Sequence, residues 1–112
     1  MAGTIKRTFG PVALTTTLTT NVYNQGSALI FDVIRHIHIA NKTASAATFT
    51  LYLGATGANA AGTELFVGVS IPANDVFDWY GMLRMNSTDF LVGGSNTATA
   101  LTITAEGEQI VV

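Results

Sequence analysis

Ala47-Thr48-Phe49-Thr50-Leu51-Tyr52-Leu53 alternates apolar and polar side chains without interruption. Successive side chains of a β-strand point to opposite faces. Phe49, Leu51 and Leu53 are therefore expected to face a core, with Thr48, Thr50 and Tyr52 facing away. Residues 98–106 repeat the pattern, with Leu101 and Ile103 opposed to Thr102 and Thr104. No stretch keeps a helical period, and β-branched residues appear almost everywhere, so the chain reads as all-β.

Working outward, residues 12–18, 29–40, 64–71, 76–85, 88–92 and 109–112 read as further strands, and residues 21–24 as a short extension. In the segment 29–40, simple alternation puts Val33, Arg35, Ile37 and Ile39 on one side and Ile34, His36, His38 and Ala40 on the other. Turns are expected at residues 41–46, Pro72-Ala73-Asn74-Asp75, Gly93-Gly94-Ser95-Asn96 and Gly107-Glu108, and a loop of small residues at 54–62. About eight short strands at this spacing predict an antiparallel β-sandwich, jelly-roll-like or immunoglobulin-like. Residues 1–11, closed by Gly10-Pro11, read as an extended N-terminal arm, and residues 12–112 as a single sandwich domain.

Composition narrows the function classes. The 112 residues allow one core. Apolar residues make up 48% and charged residues only 11%, a balance opposite to that of disordered chains. A net charge of −2 leaves no basic footprint for nucleic acid. Thr occupies 17 positions where a solitary soluble domain normally carries Lys and Glu. Much of the surface is therefore expected to be Thr-rich strand or to be buried against other subunits. The chain has no Cys, which removes disulfides, thiolate metal sites and a Cys nucleophile. Residues 1–7 carry two cations with no apolar segment after them, unlike a secretory signal. The charge-free run 8–31 is long enough to cross a bilayer but too rich in Thr, Asn and Gly, so no membrane partner is expected.

No residue pattern assembles a catalytic constellation, and no enzyme activity or cofactor is expected. His36 and His38 stand two apart on a strand and project from one face. A metal site needs a third ligand, and no acidic residue follows them until Glu64, so no metal is expected and the pair reads as part of a subunit interface. Asp75 and Asp78 read as turn and surface residues rather than a glycosidase pair. Trp79, Tyr80 and Tyr52 are expected in core or interface packing, with sugar stacking as the competing use. Asn41-Lys42-Thr43 and Asn86-Ser87-Thr88 match the glycosylation acceptor pattern by chance in a Thr-rich chain.

Ile37-His38-Ile39-Ala40-Asn41, then Thr48-Phe49-Thr50-Leu51-Tyr52-Leu53-Gly54, Ile71-Pro72-Ala73-Asn74 and Leu101-Thr102-Ile103-Thr104-Ala105-Glu106-Gly107-Glu108 follow one another in the chain. This order resembles small all-β virion proteins of tailed bacteriophages, over roughly residues 33 to 110. The resemblance implies a structural role in a virion assembled in the host cytoplasm: capsid decoration and cementing, or a neck, tail, baseplate or fibre position. It implies the major capsid protein or other virion proteins as partners, and a homo-oligomer, expected to be a trimer. In that role Thr4, Ile5, Lys6, Arg7 and Phe9 of the arm are expected to contact the capsid, and His36, His38, Tyr52 and Tyr80 to contact neighbouring subunits. A receptor- or carbohydrate-binding module built on the aromatic residues is the alternative of a different class.

Overall fold

A computed structural model of the chain describes residues 3–54 and 61–111. The described residues form eight strands: β1 (Thr4–Ala13), β2 (Asn21–Tyr23), β3 (Ile30–Asn41), β4 (Ala47–Gly54), β5 (Glu64–Ile71), β6 (Asp75–Met85), β7 (Phe90–Ser95) and β8 (Leu101–Val111). They form two four-stranded antiparallel sheets. Sheet A has the order β1-β8-β3-β6 and sheet B the order β2-β7-β4-β5. The expected antiparallel sandwich is what forms. Strand 1 pairs with 8, 2 with 7, 3 with 6 and 4 with 5. The chain is thus folded back on itself like one long hairpin and rolled into two layers, which is the connectivity of a jelly roll rather than of an immunoglobulin domain. Among the described residues, no helix is long and apolar enough to cross a membrane.

The alternation of β4 positions it as expected. Phe49 and Leu51 are buried, and Leu53 packs against the core from its edge. They meet Ile34, Ile37 and Ile39 of β3, Leu101 and Ile103 of β8, Ile71 of β5, Met85 of β6 and Leu91 of β7 in one cluster. Each such side chain removed from water contributes roughly 2 kcal/mol. At the β5–β6 side Phe49, Phe66, Phe77 and Trp79 continue the cluster through tilted and edge-on ring contacts.

The two faces of β3 differ from the simple alternation. Between Ile34 and His36 the pairing register of β3 shifts against both β8 and β6. Arg35 is the extra residue of a β-bulge against β8, and a bulge changes the phase of every side chain beyond it. Ile34 therefore shares the core face with Ile37 and Ile39, while His36 and His38 point outward.

Three glycine- and threonine-rich segments also depart from expectation. Residues 12–18 do not continue as a strand: β1 ends at Ala13, Leu14 plugs the core, and the Thr-rich stretch after it lies over β7. There Thr15 and Thr20 carbonyls accept the Ser95 and Gly93 amides at 2.8 and 3.0 Å. Gly93-Gly94 is consequently strand rather than turn, because a Cβ at Gly93 would collide with the Thr50 carbonyl and one at Gly94 with the Thr15 carbonyl. Gly107-Glu108 likewise lies inside β8. A Cβ at Gly107 would strike the Val33 carbonyl beside the bulge, so glycine serves close strand approach there. Most of the expected small-residue loop, residues 55–60, lies outside the described residues.

Residues 4–11 are extended, as expected of an arm, and they run along β8 as the edge strand of their own sheet. The boundary expected after residue 11 falls within β1. Two buried polar groups tie the layers. Asp32, 1% exposed, accepts a 2.6 Å hydrogen bond from the Tyr23 hydroxyl across the sheets. Burial, with the hydrogen bond and charge of Asp32, pushes the Tyr23 phenol far above its ordinary range. Asn41 is fully buried. Its amide donates to the carbonyls of Ser45, Ile71 and Pro72, and its oxygen accepts from Thr43, which locks two turns together. An Asn committed in this way is closed to glycan attachment.

Candidate functional site on the outer face of sheet A

The bulge at Arg35 turns both histidines to the outside of sheet A, and strand pairing supplies their neighbours. His38 lies opposite Asp78 on β6 and opposite Thr104 on β8; His36 lies opposite Tyr80 and Glu106. Pairing therefore places Asp78, forty residues from His38 in sequence, in direct contact with both imidazoles. Asp78 Oδ1 is 2.7 Å from His36 Nε2 and 2.7 Å from His38 Nδ1. The other ring nitrogen of His36, Nδ1, is 3.0 Å from Glu106 Oε1. The Tyr80 ring stacks flat on His36, with centroids 4.5 Å apart and planes 2° from parallel. Beside them Arg35 donates from Nε and Nη2 to Glu108 Oε2, both at 2.8 Å.

The electrostatics follow from this geometry. Carboxylates only accept, so a His36 ring facing one on each side bonds both only when both of its nitrogens donate, an arrangement that favours the protonated form. Desolvation lowers the His36 pKa, but hydrogen bonds and charges from Glu106 and Asp78 outweigh it and hold the imidazole above its ordinary value. The hydrogen bonds from His38 and then His36 hold the Asp78 carboxyl below the usual carboxylate range, against desolvation. Tyr80 stacked on the His36 ring adds a cation–π contact whenever that ring is protonated.

The same face carries exposed apolar groups. Tyr80 is 72% exposed, Met82 71% and Val76 43%, all on the outward side of β6, and Ile5 at the edge of β1 is 84% exposed. Ile5, Arg35, His36, Tyr80, Glu106 and Glu108 line one shallow depression. Charge is thus concentrated on this sheet face. The Thr-rich strand surface expected from composition is found on sheet B, where Thr16, Thr48, Thr50 and Asn96 line an uncharged groove.

Of the residues expected at a subunit interface, His36, His38 and Tyr80 come together here. Tyr52 does not join them, because it alternates with buried Leu51 on β4 and so faces outward from sheet B. Of the arm residues, Ile5 joins the depression, Thr4, Lys6 and Arg7 are exposed along the edge strand, and Phe9 turns inward to stack on Tyr23 at 5.2 Å. Trp79 packs toward the core, edge-on to Phe66. Asp75 accepts from the Val76 amide at the start of β6, whereas Asp78, expected as a plain surface residue, completes the histidine cluster. Its place there is set by the β3–β6 register, for which the local sequence holds no signal. No protein-family model matches the chain, and neither a curated protein nor a solved structure is significantly similar to it.

Proposed function

We propose that the chain is a non-enzymatic structural subunit of a bacteriophage virion, a capsid cement protein. In this reading it assembles as a trimer through the outer face of sheet A and clamps neighbouring capsomers of the shell. The observation that carries the reading is the row of Val76, Tyr80 and Met82 exposed along β6, with Ile5 exposed on β1 across the depression that it shares with Tyr80. Large apolar side chains gathered on one face mark protein contact surfaces. Arg35 and Arg7 stand on that face with Glu106 and Glu108, so it offers both signs of charge to a symmetric copy of itself. The sequence resemblance to phage virion proteins supports the class, and jelly rolls are a common scaffold of viral shells. The inward packing of Trp79 weighs against a sugar-stacking platform.

The test is to purify the chain, measure its mass in solution, and mix it with mature phage heads lacking it. A trimer that co-sediments with heads and raises their melting temperature is the expected result. A monomer that leaves heads unaffected overturns the cement reading, and retention on tails instead moves the protein to the neck or tail.

A further inference from the structure

We propose that His36, His38 and Asp78 form a binding site for a divalent transition-metal ion of the zinc type on the outer face of sheet A. The inference rests on this chain's own side chains and stands independently of what docks on that face.

One potential ligand atom from each of His36, His38 and Asp78 lies within 4.8 Å of the other two, and Asp78 Oδ1 is 2.7 Å from both His36 Nε2 and His38 Nδ1. Two imidazole nitrogens already converge on one carboxylate oxygen, and an ion of this type takes ligands at about 2.0–2.2 Å in a tetrahedral arrangement. The ligands therefore need only small side-chain movements to surround an ion that replaces the hydrogen-bonding protons. Two imidazoles with one carboxylate suit Zn²⁺, Co²⁺ or Ni²⁺. Ca²⁺ and Mg²⁺ require oxygen-rich shells that this cluster does not supply.

A second observation points the same way. Metal-bound histidines generally donate their other ring N–H to a carboxylate, which fixes the tautomer and the ring. His36 has this arrangement, with Nδ1 on Glu106 and Nε2 left for the ion. Stacking on Tyr80 further restrains the ring. In the single chain the three ligand side chains are 20–38% exposed, so an ion has a path from solvent before that face is covered, and a remaining coordination position is open to water or to a group of whatever docks there. Glu106 is a positioning residue rather than a ligand.

The full-length protein, stripped with EDTA and dialysed, is titrated with ZnCl₂ in a calorimeter and with CoCl₂ in a spectrophotometer. One ion per chain is expected, with visible Co²⁺ absorption typical of four-coordination and no competition from Mg²⁺. His38→Ala and Asp78→Asn should each abolish measurable binding, and Glu106→Gln should weaken it by roughly 10–100-fold while leaving the stoichiometry unchanged. If a variant fails to fold, imidazole NMR signals of the wild-type chain provide the second reading. Zn²⁺ must shift those of both His36 and His38. Uptake that survives His38→Ala, Mg²⁺ competing on equal terms, or unshifted histidine signals would overturn the site.

Discussion

The two outer faces of this sandwich cover the same core and are made by the same alternation, yet they differ sharply in chemistry. Sheet B presents Thr48 and Thr50 of β4, with Thr16 and Asn96, around an uncharged groove. Sheet A presents a bonded cluster of His36, His38, Asp78 and Glu106 and, next to it, the Arg35–Glu108 ion pair, with Tyr80 and Met82 exposed beside them. The groove is neutral and Thr-rich, as strand propensity favours, and the large exposed apolar group of this sheet, Val67, stands on its edge strand β5. Sheet A gathers much of a sparse charge complement, pairs it, and leaves large apolar groups in water. Under the proposed function, that is the face expected to make contacts.

The largest effect should come from beneath both faces. Leu51→Ala removes a fully buried side chain shared by the two layers and should cost roughly 2–5 kcal/mol of stability in denaturant titrations, lowering both faces together. Next is the tie between the layers. Tyr23→Phe leaves the Asp32 carboxylate buried without its phenol donor and should cost about 1–3 kcal/mol in the same assay.

A smaller effect separates the faces by pH, measured in EDTA. The lowered Asp78 pKa contributes stability that is present above the ordinary carboxylate range, near pH 4, and is lost as pH falls through the folded value. The raised His36 pKa contributes stability that is fully present below the ordinary imidazole value, near pH 6.5, and is lost as pH rises through the folded value. The two windows overlap between roughly pH 4 and 6.5. Thermal scans should show a shallow stability maximum there, flattened by Asp78→Asn and unchanged by substitutions on sheet B. The smallest effect is expected of Thr48→Val, which changes one hydroxyl at the rim of the sheet B groove and should stay within about 0.5 kcal/mol.

Period-two patterning made the strands and the core legible. Phe49, Leu51, Leu101 and Ile103 sit where alternation puts them, because each faces a layer that excludes water. What escaped was set by contacts between distant segments. Gly93, Gly94 and Gly107 read as turn residues, since glycine's freedom and glycine's smallness look alike in a sequence; only the neighbouring carbonyls show that smallness is what these positions require. The bulge at Arg35 has no local signature, so simple alternation gives the wrong phase of β3 on one side of it. The paired histidines were visible, while their third companion depended on the β3–β6 register.

The central claim is that the outer face of sheet A, rather than that of sheet B, mediates association. Sedimentation velocity of the wild-type chain, the double variant Tyr80→Asp/Met82→Asp, and the sheet B variant Val67→Asp tests it directly, since both variants replace exposed side chains with a charge. The account predicts a trimer for the wild type and for Val67→Asp and a monomer for the sheet A variant. A monomeric wild type, or a trimer disrupted only by Val67→Asp, would contradict it.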